Sequence, residues 1–249
     1  MFLYKVRYME IRIFKTAEEI GIEAAKIFTD AVKANPSCVL GLATGASPIP
    51  TYKSIIKTFE DGGISFADVK TYNLDEYCDL PKNDKNSYYT FMHEQLFNGL
   101  DIKEENVHFL DGNAEDKPAE CTRYDAAIEN DGGINVQLLG IGNNAHIGFN
   151  EPADDFTDGS FEVKLTDSTI EANKIYFDEG AMPHYALTMG IKQIMKADKI
   201  VLIATGPKKA KAVHDFIKGE VTAQVPASIL QLHKDAVIFL DEAAASLLD

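Results

Sequence analysis

Short apolar runs alternate along this chain with segments whose apolar residues recur at helical spacing. The runs that read most clearly as strands lie at residues 11–14, 38–42, 69–74, 134–139, 199–205 and 236–240. Strands that alternate with helices predict an α/β fold: a doubly wound, mostly parallel open sheet, Rossmann-like, with helices on both faces. We expect a single domain over residues 9–249. Residues 1–8 are expected to be a short N-terminal extension, and Met9 an alternative start.

Individual helices and extended segments can be placed from local signals. Thr16 with Glu19 forms a capping box that begins the first helix, and Ser87 is expected to cap another. Further helices are expected at the segments 118–128, 167–177, 185–195 and 242–248 and from Pro226 onward. Residues 161–165 are expected to be extended.

Charge and cysteine usage narrow the classes of partner and compartment. The formal net charge is −15 over 249 residues, which argues against nucleic acid or an anionic membrane as a partner, since both favour clustered Lys and Arg. Cys38, Cys78 and Cys121 are odd in number and lack a CxxC pair, so a reducing cytoplasmic location is expected. No apolar run approaches the ~18 residues that a membrane helix needs, and Met1–Tyr8 lacks the features of a signal peptide.

Two strand-to-helix turns have the features of an anion site. Thr44, Gly45, Ala46 and Ser47 follow a predicted strand, with Ser47 expected as the N-cap and Pro48 as the first helical residue. Free amides and the positive end of a helix dipole suit a phosphate, although a well-capped turn without a ligand gives the same pattern. 

The second such turn carries lysines. Gly206 follows the strand at 199–205, and Lys208 and Lys209 fall in the next helical turn. Lys is unfavourable beside the positive end of a helix dipole, and a bound anion would remove that conflict. Lys209 is therefore a candidate phosphate ligand.

The stretch Gly140–Pro152 is the most polar strand end in the sequence. His146 is a natural proton shuttle near neutral pH, and Glu151 or Asn144 could orient its ring. The other histidines have no comparable polar neighbours in the sequence and are interpreted as ordinary surface residues or as buried residues with satisfied hydrogen bonds. Gly140 and Gly142 do not extend to a GxGxxG fingerprint, which disfavours a dinucleotide site.

Asp75 and Glu76 follow the strand at 69–74. Adjacent residues in a continuing strand point to opposite faces, so only one carboxylate is expected to enter the site, and Asp75 is the candidate base. A metal site of His146, Glu151 and Asp75 is disfavoured because no HExxH or His-pair spacing supports it. Two phosphate-type and two proton-transfer segments predict acid–base chemistry on a phosphorylated small molecule.

These segments resemble the glucosamine-6-phosphate deaminase/isomerase family. The matching segments are Leu40–Pro48, Tyr72–Tyr77, Gly140–Pro152, Leu165–Asn173, Ala186–Ile191, Gly206–Ala210 and Pro226–His233. The sequence His-Ile-Gly-Phe-Asn-Glu-Pro at 146–152 is the most specific of them. It distinguishes the family from the related 6-phosphogluconolactonases.

The resemblance implies a reaction and a set of roles. Glucosamine 6-phosphate and water would become fructose 6-phosphate and ammonia without a cofactor. Asp75 falls on the base that moves a proton between C2 and C1, His146 on the ring-opening residue, and Glu151 on its orienting carboxylate. The segment from Thr44 to Ser47, together with Lys209, falls on the phosphate site.

Three departures from the family leave alternatives open. Asn144 stands where many members carry Asp, and Ile175, beside Lys174, stands where a phosphate-binding Arg is usual. Phe161 and Val163 replace basic residues of the family's effector site, so a monomer or small homo-oligomer is expected rather than an allosteric hexamer. Galactosamine 6-phosphate as substrate, a catalytically idle sugar-phosphate sensor and a lactonase-type hydrolase remain alternatives.

Overall fold

A computed structural model of the protein describes residues 2–6 and 9–248, apart from residues 167–168, 172–176 and 178–181. The strands are β1 (Phe2–Val6), β2 (Met9–Phe14), β3 (Val39–Leu42), β4 (Lys70–Asn73), β5 (Asp75–Tyr77), β6 (Val107–His108), β7 (Val136–Leu139), β8 (Phe161–Lys164), β9 (Tyr185–Thr188), β10 (Lys199–Ala204) and β11 (Ala236–Asp241). The helices are α1 (Ala17–Ala34), α2 (Ile49–Glu60), α3 (Tyr88–Gln95), α4 (Lys117–Asn130), α5 (Ile191–Met195) and α6 (Ala210–Lys218).

The main sheet has the strand order β1-β2-β11-β10-β7-β3-β4-β6. All neighbouring pairs are parallel except β1 with β2, which are antiparallel. The prediction of a mostly parallel α/β sheet is confirmed. Residues 2–6, which we expected to be an extension, form β1 along the edge of β2.

The order of the strands defines a switch point between β3 and β7. From β3 the chain moves outward through β4 to β6, and from β7 it moves outward in the other direction through β10 to β11. In open α/β sheets the crevice beyond the carboxyl ends of the two strands at such a point is the usual ligand site. Gly41 on β3 leaves room for the side chain of Gln137, its partner on β7, since a β-carbon at Gly41 would lie 2.0 Å from Gln137 Oε1.

A second, antiparallel sheet of order β5-β9-β8 stands beside the main one. The predicted helix over residues 185–195 is wrong, because Tyr185–Thr188 is a strand and only Ile191–Met195 is helical. Gly190 is extended, with φ −75° and ψ 162°, and it packs so tightly that a β-carbon would lie 2.1 Å from the carbonyl oxygen of Gly159. Tertiary packing thus overrides the helical spacing of the apolar residues in this segment.

Three other local predictions are corrected. Ser47 is not the N-cap of α2, because Pro48 holds that position with helical φ and ψ and no side chain caps the helix. The segment from Pro226 is a 3₁₀ helix, Pro226–Leu232, and residues 242–247 form turns rather than a helix. The Thr16 cap is confirmed, since the Thr16 hydroxyl accepts a hydrogen bond from the Glu19 amide at 3.1 Å.

Candidate active site

The four segments singled out in the sequence follow four adjacent parallel strands. Lys209 follows β10, the Gly140–Pro152 stretch follows β7, the Thr44–Ser47 loop follows β3, and Asp75 follows β4. Parallel neighbours are spaced by ~4.8 Å, so the carboxyl ends of these four strands span only ~15 Å. Two of the strands flank the switch point.

The Thr44–Ser47 loop is open and rich in unused amides. Gly45 has φ +105°, a left-handed conformation that favours glycine, and Gly45 and Ala46 are exposed. The N–H groups of residues 44–47 donate no hydrogen bond to any other residue that the structure describes. Below the loop, the buried Tyr52 hydroxyl donates to the Ala43 carbonyl at 2.5 Å and accepts from the Ala43 amide at 3.2 Å. The loop is therefore anchored at Ala43, while the amides of residues 44–47 have no acceptor in the described part of the chain.

Lys209 lies at the start of α6 on the other side of the switch point. The preceding turn is held by Gly206, which has φ +89° and donates its N–H to the Asp241 carboxylate at 2.8 Å. Burial, and then the neighbouring charge of the exposed Lys208, lower the pKa of Lys209. A half-buried ammonium at a helix N-terminus is unfavourable unless an anion neutralises it.

His146 and Glu151 form the core of the Gly140–Pro152 stretch. Nδ1 of His146 lies 3.3 Å from Oε1 of Glu151, although the contact is too poorly aligned to count as a hydrogen bond. Glu151 Oε1 also accepts from the Thr169 hydroxyl at 2.7 Å and the Thr166 hydroxyl at 3.3 Å. Burial alone would raise the pKa of Glu151, but His146, Thr169 and Asn144 together lower it to about 2.

Asn144 and the tight turn around it position this pair. The Asn144 side-chain amide donates to Glu151 Oε2 at 2.6 Å, and its Oδ1 accepts from the His146 amide at 3.3 Å. Ala145 has φ +65°, an uncommon value for a residue with a side chain. The imidazole lies against Gly142, where a β-carbon would be 2.3 Å from Nε2 of His146, so this position has no room for another residue.

Asp75 is buried, at 6% exposure, and its carboxylate accepts no hydrogen bond from the described part of the chain. Burial, and then the charge of Glu76, raise the pKa of Asp75 to about 8. Glu76 has a different role, since it accepts hydrogen bonds from the amides of Tyr77, Tyr88 and Tyr89 at 2.8–3.0 Å. Glu76 therefore caps α3, and its oxygens are occupied by main-chain amides, unlike those of Asp75.

The small antiparallel sheet joins Asp75 to the His146 stretch. Asp75 on β5 is the antiparallel partner of Thr188 on β9. The Thr188 hydroxyl accepts a hydrogen bond from the Phe149 amide at 3.0 Å. The Asn150 side chain donates to the Met189 carbonyl at 2.9 Å. A β-carbon at Gly148 would lie 2.9 Å from Thr188 Oγ1 and 3.7 Å from Asp75 Oδ2. The His146 stretch and Asp75 therefore approach each other closely, and glycine at position 148 permits it.

Several of these contributors were not singled out from the sequence. Thr166 and Thr169 anchor Glu151, and Thr188 links the two halves, yet isolated threonines carry no local signal of such roles. Ile175 and Lys174 lie outside the described residues. No cluster of three or more His, Cys, Asp or Glu side chains within the described ranges is arranged to hold a metal ion.

The fold and this arrangement define a class of protein: an α/β enzyme whose switch-point crevice combines a loop of unpaired backbone amides with two separate carboxylate-based groups. The sequence matches the family described as glucosamine-6-phosphate isomerases/6-phosphogluconolactonase over residues 15–239. The chain belongs to this family, which confirms the resemblance drawn from the motifs.

Individual relatives are similar over nearly their whole length. A glucosamine-6-phosphate deaminase of Clostridium botulinum (strain Alaska E43 / Type E3) is 46% identical, with 97% of both chains covered. One of Lysinibacillus sphaericus (strain C3-41) is 47% identical over 94% of this chain and 98% of the relative. 

Solved structures extend the comparison to the fold. A monomeric glucosamine-6-phosphate deaminase superposes with a TM-score of 0.93 at 41% identity, over 95% of this chain and 99% of the other. A 6-phosphogluconolactonase from Thermotoga maritima shares the fold alone, with a TM-score of 0.74 at 15% identity over 94% and 99% of the two chains.

Proposed function

We propose that this protein is a glucosamine-6-phosphate deaminase, which converts glucosamine 6-phosphate and water to fructose 6-phosphate and ammonia. The observation that carries the proposal is the pairing of a buried, raised-pKa carboxylate, Asp75, with a separate His146–Glu151 pair across Gly148. Glucosamine-6-phosphate deaminases that are 46% and 47% identical over nearly the full length support it.

Ring opening is assigned to His146. A carboxylate beside Nδ1 favours the tautomer with the proton on Nδ1, which leaves Nε2 with the lone pair. Nε2 can then take the proton of the C1 hydroxyl and return it to the ring oxygen. The Glu151 carboxylate stabilises the protonated imidazole during the transfer, and Asn144 holds that carboxylate in place through its side-chain amide.

Isomerisation is assigned to Asp75. As a buried carboxylate with no hydrogen-bond donor among the residues that the structure describes, it is poorly stabilised and therefore a stronger base than an exposed Asp. It removes the proton from C2 of the open-chain sugar, and the electron pair forms an enol-type intermediate. Return of a proton at C1 makes C2 an imine carbon, which water hydrolyses to the ketone as ammonia leaves.

The phosphate is assigned to the amides of Thr44 to Ser47, with Thr44 and Ser47 hydroxyls at the rim, and to the Lys209 ammonium. The positive end of α2 and the half-buried Lys209 lie on the two sides of the switch point. Substituting Lys209 by Met should raise KM by roughly 10-fold or more, whereas Lys211→Met, at an exposed residue that pairs with Asp215, should leave KM unchanged.

The decisive assay follows ammonia and fructose 6-phosphate released from glucosamine 6-phosphate, with galactosamine 6-phosphate in a parallel reaction. Wild type should turn over glucosamine 6-phosphate, and Asp75→Asn should lose activity by roughly 10³-fold or more. Equal release by the variant and wild type would refute the mechanism. Tight binding without turnover would instead favour a sugar-phosphate sensor.

We further propose that the protein acts as a monomer in the cytoplasm. The similar solved deaminase is described as monomeric, and Cys38, Cys78 and Cys121 are buried free thiols, as expected in a reducing compartment. No helix within the described ranges is long and apolar enough to cross a membrane. Light scattering of the purified protein at several concentrations tests the monomer, and a dimer mass would contradict it.

A further inference from the structure

The Asn150 side chain lies buried between the two halves of the candidate site. Its Nδ2 donates to the carbonyl oxygens of Ile147 and Met189, at 2.9 Å each. Its Oδ1 accepts the Thr157 hydroxyl at 2.5 Å. Only 2% of the residue is exposed. Both N–H bonds and the carbonyl oxygen of the amide are therefore used inside the protein, which holds the group in one orientation.

Thr157 determines which way this amide points. The Thr157 hydroxyl accepts the Ile191 amide at 2.8 Å, so its own hydrogen is left for Oδ1 of Asn150. The Thr157 carbonyl accepts the Lys192 amide at 3.1 Å. Thr157 thus satisfies two of the free N–H groups at the start of α5 and ties Asn150 to that helix. Reversing the amide would set its oxygen against two carbonyl oxygens.

One of the two carbonyls that Asn150 holds belongs to the His146 half of the site. Ile147 directly follows His146, and its carbonyl also accepts the Asn150 main-chain amide at 3.2 Å. The two bonds close a tight turn in which Gly148 has φ +56°. The Asn150 side chain is thus fixed to the peptide next to the ring-opening residue.

The other carbonyl belongs to the Asp75 half. The Met189 amide donates to the Leu74 carbonyl at 2.8 Å, and Leu74 directly precedes Asp75. Leu74 is itself fixed to the main sheet, because its amide donates to the Leu42 carbonyl at 2.9 Å. The Asn150 side chain therefore connects the turn of the ring-opening residue to the peptide that holds the residue before the base.

These two halves must act on neighbouring atoms of one ligand. In the proposed reaction the His146–Glu151 pair opens the ring at C1, and Asp75 removes the proton from C2. The spacing between the groups matters because a misplacement of about 1 Å can cost ~10²-fold in rate. We propose that Asn150 is a positioning residue that fixes the spacing between the His146–Glu151 pair and Asp75. The proposal deepens the proposed function and rests on it for the identity of the substrate.

The two halves can be assayed separately on glucosamine 6-phosphate in D₂O. Opening and closing of the ring interconverts the α and β anomers, which needs the His146–Glu151 pair but not Asp75. Proton abstraction by Asp75 is followed as loss of the C2 proton signal. Both rates are measured by proton NMR above the uncatalysed rates, and ammonia release is recorded in parallel.

Asn150→Asp keeps the shape of the side chain and its acceptor for Thr157, but the new side chain cannot donate to both carbonyls. We expect loss of the C2 proton to slow about 10-fold to 100-fold, with anomer exchange and KM changed by less than about threefold. Asn135→Asp is a matched control, because Asn135 precedes the opposite end of β7 and bonds to Val39 and Asp198. It should lower Tm and leave the ratio of the two rates unchanged.

Thr157 tests the same network from a half-buried residue, and it replaces Asn150→Asp if that variant does not fold. Thr157→Val removes the donor to Oδ1 of Asn150 and should slow loss of the C2 proton selectively, in smaller measure. Thr157→Ser keeps the hydroxyl and should restore the wild-type ratio.

Three results would overturn the proposal. Equal slowing of anomer exchange and C2 proton loss would mean that Asn150 only supports the His146 turn, and unchanged rates at a lowered Tm would mean that it is only structural. A shifted pH profile of kcat would mean that it takes part in proton transfer. Loss of the C2 proton by wild type without ammonia release would contradict the proposed function instead, and the ratio of the two earlier rates would still test the spacing.

Discussion

Replacing Asp75 by Asn should stabilise the protein while it removes activity. The carboxyl is buried at 6% exposure, and burial with the charge of Glu76 raises its pKa from 3.8 to about 8. At pH values between 3.8 and about 8, Asp75 of the native protein holds a proton that the same group has released in the unfolded chain. The stability of wild type therefore falls as pH rises through this window, whereas the Asn variant carries no such proton.

The size of the effect follows from the pKa shift. Each pH unit in the window lowers the stability of wild type, relative to the variant, by about 1.4 kcal/mol, and the whole window gives about 6 kcal/mol as an upper limit. A buried Asn amide without partners offsets about 1–3 kcal/mol of this gain. Above pH 8 the variant should therefore be more stable by about 3–5 kcal/mol, and below pH 4 the advantage should disappear.

Urea unfolding of both proteins at several pH values between about 4 and 8 measures the difference. Glu76→Gln provides a matched control, since this acid is equally buried but its oxygens accept three main-chain amides. The control should be destabilised, because a Gln side chain presents an N–H₂ group to one of those donors. An Asp75→Asn variant that is no more stable than wild type, or a difference independent of pH, would refute the reasoning.

Three further predictions concern the site. The acid limb of kcat/KM should have a midpoint near pH 8, because Asp75 must lose its proton to act as a base and its pKa is raised to about 8; a midpoint near 4 would contradict the burial argument. Thr188→Val should lower the free energy of unfolding by about 1–3 kcal/mol in urea denaturation, because it leaves the buried Phe149 amide unpaired, while Thr188→Ser should stay near wild type; equal losses would refute this. Ile175→Arg should lower KM for the sugar phosphate by supplying a bidentate contact, and an unchanged or higher KM in steady-state assays would show that position 175 does not face phosphate.

Local patterns in the sequence predict the parallel sheet and its polar rim. The apolar runs at β3, β7, β10 and β11 and the capping box at Thr16 each involve residues within a few positions of one another. Because parallel strands expose their carboxyl ends at one edge, knowing only that each polar segment follows a strand is enough to group them. The same reasoning could not show that β10, β7, β3 and β4 are immediate neighbours, since strand order depends on crossovers between distant segments.

The segment 185–195 illustrates the limit of local reasoning. Its apolar spacing suits a helix, but Tyr185–Thr188 pairs with β5 more than 100 residues earlier and with β8 on its other side. Backbone pairing over such distances is decided by packing, and so is the extended Gly190 against Gly159. Ser47 shows a smaller case, where a residue typical of an N-cap is displaced by the Pro48 that follows it.

The sequence by itself determined the kinds of chemistry at the site, because Asp75, His146, Glu151 and Lys209 are identifiable from their types and from the strand ends they follow. Only the tertiary structure decided how these groups are held and protonated. The raised pKa of Asp75 comes from burial, and the low pKa of Glu151 comes from partners up to 18 residues away. Burial and long-range contacts are properties of the folded chain, whereas periodicity and capping are properties of neighbouring residues.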